Sequence, residues 1–519
     1  MERAVKFAIM VLLVLVAAGG ALFSDKRGGR AAAKGNEQYW AETGLGAGAI
    51  EELLQDNSCR SSEKYFLACA NAVVIVAQKY GLTIRFDASL APIKFHEKLA
   101  LSEKEILSPW KKFLLRHDRI PAFPFLKIWR DISNRYISAG SLSYAVGLGM
   151  NGFLSVFRDP HTYLLPADFY NNVVARTNNK SLSVGIILGR DTQNYFVKKV
   201  LENSSSYLAG IKKADLIVEI QGRKAASLTS FQLGDLLRGS EGSELELKIL
   251  RKGEIKRFLI IRTEKTIPTV TAQIIEGIKP VGILTVNKFA VGTCEQSKVI
   301  LLDLLTQNIR GLLLDLRDNP GGQMEEAACL ASLFIGPRKQ VFTIKTLNSK
   351  EPDEVVFGEE EQIYGGPVAV LVNSGSASAS EIVAGALQHY KRGVLVGERT
   401  FGKGSFQEGE IWSKNEKIAI FQTKGFYYLP SGKTPQMVGL EPDLKVAFED
   451  HFALREEDQF LNPLKAANQM ETDASLASRQ RELMACSNFD SDFLTLDDQE
   501  IKEAHRILGC PNIASRGQQ

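Results

Sequence analysis

The sequence predicts a multidomain α/β protein, and three observations carry that prediction. From Pro268 to about residue 445, apolar strands alternate with amphipathic helices, the pattern of a βαβ core. From 181 to 264 the pattern changes to short strands separated by turns. Residues 36–176 and 446–519, on either side, read mainly as helix. A chain of 519 residues has room for about two to four such units and a sizeable core.

Composition excludes little. Hydrophobic content of 45% and charged content of 24% are ordinary for a globular chain. A net charge of +3 gives no reason to expect a nucleic-acid partner. Residues 1–24 differ from the rest: Arg3 and Lys6 precede an apolar run, Phe7 to Ala18, and then small residues. This is the form of a secretory signal cut near Gly20 or Ala21. The 17 residues from Phe7 to Phe23 also reach the lower limit for an uncleaved membrane anchor. Export to the periplasm or cell envelope is therefore expected, with attachment to the inner membrane left open. Residues 25–35 read as a linker.

In an exported chain, Cys59 with Cys69 and Cys486 with Cys510 suit local disulfides, and Cys294 and Cys329 read as structural core cysteines. Buried thiols are the alternative for all six. No CxxC or HxxxH spacing occurs, so neither a metal nor a cofactor is expected.

Taken in order, helical spacing marks Ala49–Leu54, Tyr65–Tyr80, Pro109–Leu115 and Leu126–Ile137. After the apolar segment Val146–Phe157 comes a turn, Asp159-Pro-His-Thr-Tyr163. His161 there reads as a packed turn histidine. Leu245–Leu250 and Arg257–Arg262 alternate like paired strands around Lys252-Gly253, and 230–238 reads as a helix. In the core, Val281–Phe289 and Gly311–Leu316 are strands, while Cys294–Leu305 and Met324–Ile335 are helices. Arg317-Asp-Asn-Pro-Gly-Gly322 is a sharp turn between them.

The most informative stretch is Gly366 to Gln407. A buried strand, Pro367–Val372, leads into the small polar run Asn373–Ser380, then a helix from Glu381 to Tyr390. A second buried strand, Val394–Val396, precedes Lys403, which stands between two glycines. Ser378-Ala-Ser-Glu381 fits a capping box, and a cap needs no other role. The same position faces free N–H groups at a helix N-terminus, which stabilise an oxyanion if the serine attacks a carbonyl. His389 lies three turns away, roughly 16 Å at 1.5 Å per residue, and cannot serve as base. Lys403 follows the returning strand, which lies beside the first in such a unit. On residue type alone Lys403 reads as a surface turn lysine; it can act as a base only if burial lowers its pKa from ~10.4 to ~8, at a cost of about 3 kcal/mol.

The segments SASASEIVAGAL and GERTFGKGSFQ resemble the carboxyl-terminal processing, or tail-specific, proteases. The resemblance covers roughly residues 145–445 and implies a crotonase-like core at 268–445 with an inserted PDZ domain at 181–264. It implies Ser378 as nucleophile, Lys403 as general base and Gln407 as the residue orienting that lysine. The DLRDNPGG turn resembles the family's oxyanion signature and implies Gly321, Gly322 and Ala379 as donors. Ser183-Val-Gly-Ile-Ile187 resembles a PDZ carboxylate loop, implying that Val184, Gly185 and Ile186 hold a substrate tail. The family carries glycine where this chain has Ala214. Implied partners are unfolded or tailed protein substrates, with an adaptor or activator and a homo-oligomer left open. A non-catalytic PDZ scaffold with a degenerate core is the competing reading, and an acyl-transferring hydrolase ranks below both.

Overall fold

The computed structural model describes residues 39–92, 103–170, 184–190, 194–200, 204–227, 233, 236–237, 242–262, 268–276, 280–348, 350–446, 455–460, 463–469, 476–485 and 498–510. The leader, the linker and Cys486 fall outside them.

The four longest described helices of the N-terminal region are α1 (Glu63–Lys79), α2 (Glu103–Leu114), α3 (Phe125–Tyr136) and α4 (Leu142–Phe157). Their core is aromatic, with Phe66, Trp110, Phe125 and Trp129 all buried. The predicted helices are present, α2 beginning six residues before Pro109. After α4 the Asp159 turn leads into strand β1 (Tyr163–Pro166).

The second unit is a sheet of antiparallel strands, β2 (Ile186–Arg190), β3 (Tyr195–Val200), β4 (Leu216–Ile220), β5 (Glu244–Arg251) and β6 (Glu254–Ile261). Their order is sequential, so β2 is an edge strand. The hairpin β5–β6 turns at Lys252 and Gly253, φ 51° and 83°, the two positive values a type I′ turn requires. Ala214 also sits at φ 68°, which explains why glycine suits that position.

The core sheet has six strands: β7 (Val270–Ile275), β8 (Val281–Val286), β9 (Gly311–Asp315), β12 (Val368–Val372), β13 (Val394–Gly397) and β16 (Leu444–Lys445). All neighbours pair in parallel except β7 with β8. A parallel sheet needs cover on both faces. Leu284, Leu312, Leu314, Val370 and Leu395 face α5 (Thr293–Thr306), α6 (Met324–Ile335) and α7 (Ala379–His389). The alternate residues Ile283, Leu313, Ala369, Leu371 and Val396 meet Ala504, Ile507 and Leu508 of the late helix α9 (Gln499–Leu508).

A second sheet holds β10 (Gln340–Thr346), β11 (Glu354–Phe357), β14 (Ser405–Ile411) and β15 (Ile418–Tyr428) in the order β11-β10-β15-β14. Strand β1 joins it, Tyr163 opposite Phe421, which brings the Asp159 turn beside the lysine segment. Strand β15 runs unbroken past Gly425, which lies opposite Thr346 and has no room for a Cβ against the Lys345 carbonyl.

Cys59 pairs with Cys69 as expected. Cys294 and Cys329, read as core residues, form a second disulfide that pins α5 to α6. Cys510 is disulfide-bonded as well; its expected pairing with Cys486 lies outside the described residues. The tail touches the N-terminal helices where Lys104 Nζ donates to the Glu457 carbonyl, but it docks chiefly on the core sheet. Ile507 is fully buried in that contact. Ile507→Ala is expected to lower stability by about 2–5 kcal/mol. Urea unfolding checks this, and an unchanged midpoint would show that α9 does not cover the sheet.

Candidate active site

The small polar run after β12 is small because two turns must interlock there. Asn373 Oδ1 accepts N–H bonds from Gly375 and Asp318, both at 2.9 Å. Ser376 Oγ donates to the Leu316 carbonyl and Ser380 Oγ to that of Asn319, both at 2.8 Å. The segment before α7 is thereby stitched to the turn 316–322, and Ser378 is delivered to the helix N-cap with φ 57° and ψ −114°. A non-glycine residue held there is strained, at a cost of about 1–3 kcal/mol that the surrounding bonds must offset.

Lys403 is bound to that serine through two side chains. Glu381 Oε2 accepts the N–H of Ser378 and the N–H of Lys403, each at 2.9 Å. Its Oε1 takes the N–H of Gly402 at 2.9 Å and the hydroxyl of Thr400 at 2.5 Å. The Tyr427 hydroxyl lies between the carbonyls of the same two residues, 2.9 Å from that of Lys403 and 3.2 Å from that of Ser378. Glu381 holds both N–H groups, while the single Tyr427 O–H is shared between the two carbonyls, the nearer being that of Lys403, so the two residues are fixed side by side. The parallel pairing of β12 with β13, Ala369 opposite Val394, returns the chain as the strand–helix–strand reading expected.

Electrostatics at the site follow from burial. Desolvation lowers the Lys403 ammonium to about 8, opposed by the charges of Glu456, Asp159 and Glu381. Desolvation also raises Glu381 to about 7, against four hydrogen bonds that favour its anion. Among the described residues, Lys403 Nζ meets no hydrogen-bond acceptor. Gln407 directs its amide nitrogen to Ser405 Oγ at 3.1 Å and Thr423 Oγ1 at 3.3 Å rather than to Lys403.

The glycine turn lies against the serine. A Cβ on Gly321 would sit 2.9 Å from Ser378 Cβ and 3.0 Å from the Ala379 nitrogen, so only glycine fits. The N–H of Gly321 donates to Asn319 Oδ1 at 2.9 Å and is not available to a ligand. Those of Gly322 and Ala379 meet no acceptor among the described residues. Val184 and Gly185 lead into edge strand β2, which Ile186 opens, with Gly185 at φ 79°. Of the wall helix expected at 230–238, Leu233 and Leu236 are described and are buried in the same core as Val184.

Sequence reasoning missed Asp159, His161, Gln436 and Glu456, all of which pack around the lysine segment. The Asp-Pro-His-Thr turn was visible, but its 295-residue separation from Glu456 was not. His389, on α7, is exposed and takes no part in the site.

Two family descriptions match the chain: peptidase family S41 over residues 280–446 and a PDZ domain over 179–261. A carboxyl-terminal-processing protease of Synechocystis sp. is 31% identical over 297 residues, 56% of this chain and 68% of that one. A probable CtpA-like serine protease of Staphylococcus haemolyticus is 26% identical over 62% of this chain, which spans 63% of that protein's length. The solved photosystem II D1 C-terminal processing protease has 24% identity and a TM-score of 0.45, over 61% of this chain and 86% of its own. The matches define a serine peptidase carrying a PDZ domain. The chain belongs to peptidase family S41, among relatives named carboxyl-terminal-processing proteases.

Tyr427 is fully buried, and its hydroxyl is one of the two clamps. Tyr427→Phe leaves the Ser378 and Lys403 carbonyls without that donor, so stability should fall by about 1–3 kcal/mol. Chemical unfolding measures it, and a loss within experimental error would show that the clamp carries no energy.

Proposed function

We propose that this chain is an exported endopeptidase that captures the C-terminal tails of protein substrates and cleaves them with a Ser378–Lys403 dyad. Neutral Lys403 accepts the Ser378 proton as the hydroxyl attacks the scissile carbonyl, and then donates it to the leaving amine. The N–H groups of Gly322 and Ala379 receive the oxyanion. Gly321, implied as a third donor, shapes the turn instead, since its N–H already has a partner. Gln407 orients the lysine through its carbonyl oxygen, the end of the amide left to accept a bond. We also read the core as crotonase-like.

The double clamp of Glu381 and Tyr427 on both residues is the observation that carries this reading. A scaffold with a dead core has no need to hold a strained serine beside a dry amine. Edge strand β2 supports tail capture, since an extended peptide adds to such an edge while its carboxylate takes the loop N–H groups. The basic and apolar leader, and disulfides in the mature part, support export.

Because the base must be uncharged, kcat/KM on an unstructured protein should rise with pH through about 8 and level off above it. Ser378→Ala and Lys403→Ala should each lower it by about a thousandfold or more. A pH–rate series with mass spectrometry of the products checks both, and equal cleavage by wild type and Ser378→Ala would refute the dyad. Tail capture is tested on full-length Ser378→Ala. A peptide with an apolar, free C-terminus should bind, and its C-terminal amide should not. Equal binding of the two would refute capture through the carboxylate.

A further inference from the structure

The turn Asp159-Pro-His161 lies outside the dyad, the oxyanion turn and the PDZ domain, yet each of its ionisable side chains bonds a residue that in turn meets one of the two glutamines beside the lysine segment. Asp159 is buried, and its Oδ1 accepts the Thr423 hydroxyl at 2.7 Å. Its Oδ2 takes the Thr162 hydroxyl at 2.5 Å. A hydroxyl has one proton. With that proton given to Asp159, Thr423 Oγ1 can only accept from Gln407, so the amide nitrogen of Gln407 must face it, at 3.3 Å. The Gln407 carbonyl oxygen is then the end left for Lys403.

His161 works on a second glutamine. Its Nε2 donates to both oxygens of Glu456, at 2.9 and 3.1 Å, and its ring packs edge-on against Phe460. Glu456, on the short helix α8 (Glu456–Gln459), is fully buried and accepts from Gln436 Nε2 at 3.1 Å. The same Nε2 donates to the Leu464 carbonyl at 3.0 Å, so Glu456 and that carbonyl together commit the nitrogen end of Gln436, and its Oε1 accepts the N–H groups of Gly404 and Ser405 at 2.8 and 2.9 Å. Together with the Glu381 bonds to Gly402 and Lys403, every N–H from 402 to 405 is held by a side chain. A reversed Gln436 would point an amide nitrogen at two N–H donors.

We propose that Asp159, His161 and Glu456 are positioning residues for the general base: through Thr423 and Gln436 they set the two amides that hold and receive Lys403. The inference rests on the dyad reading above. It makes α8, a piece of the C-terminal region, part of the working site. The charged groups facing the lysine are Glu456 from α8, Asp159 from the turn and Glu381 from α7, with His161 paired to Glu456. The two carboxylates outside the α7 clamp both favour the ammonium, so neutralising either one makes Lys403 lose its proton more readily.

The test uses the full chain and the rate at which a fluorophosphonate labels Ser378 as a function of pH, which depends on the base and not on substrate choice. Asp159→Asn and Glu456→Gln keep size and shape. Each should move the acid limb of labelling to lower pH by about half a unit or more. Each should also reduce the plateau rate, by up to about a hundredfold, because the lysine is less well placed. His161→Gln should lower the plateau in the same way. With an unstructured protein as substrate, the loss should appear in kcat rather than KM. A merely structural role would change the unfolding midpoint and leave the acid limb where it was. Folded variants whose acid limb and plateau stay within twofold of wild type overturn this inference alone. A wild type that is never labelled sinks the dyad reading, and this inference with it.

Discussion

A single buried carboxylate joins the two halves of the site. Glu381 sits on the first turn of α7, three residues after Ser378, where a capping residue belongs. The same oxygen that caps Ser378 also takes the N–H of Lys403, twenty-two residues on in the chain. Helix capping and active-site assembly are therefore one interaction. The carboxylate is fully buried and meets hydrogen-bond donors on both oxygens, which is the condition for keeping such a group out of water. Were it lost, the strained backbone of Ser378 and the lysine loop would each have lost a main restraint, and the loss would be mutual.

The surrounding fold makes that carboxylate possible. The strands β12 and β13 run parallel and adjacent, so the ends of both point at the same edge of the sheet, where ligands bind in open α/β architectures. Helices α5 to α7 dry one face and α9 the other. The dryness that protects hydrophobic packing is the same dryness that lowers the lysine. Packing and the lowered lysine thus share a cause, and the price is a set of buried polar side chains that must all be satisfied.

Those polar side chains come from distant parts of the chain. Thr423 lies on β15, Gln436 in the loop before β16, Glu456 on α8, and Asp159 and His161 in the turn before β1. Strand β1 pairs with β15, which is how a turn of the helical region arrives beside a lysine more than two hundred residues later. Arg317, of the glycine turn, likewise joins Asp315 to Asp498 and Glu500 at the start of α9. The C-terminal region is accordingly part of the site's wall, although its sequence is bland.

Much of this was legible in the amino acids alone. The apolar runs at 281–286, 311–315, 368–372 and 394–397 marked the buried parallel strands, because burial on both faces leaves no polar alternation. Ser378 and Glu381 were readable as a helix cap, because a turn into a helix demands those residue types at that spacing; Lys403 by itself read as a turn lysine, and only the resemblance of its motif singled it out. Strands β10, β11 and β14 were not marked, since their partners are remote and their outer residues are polar. The cysteine pair 294–329 was missed because two core helices bring it together. The partners of Gln407 and Gln436 belong only to the tertiary structure. A hydrogen bond across 264 or 295 residues leaves no periodicity behind, and only packing decides which acid meets which amide.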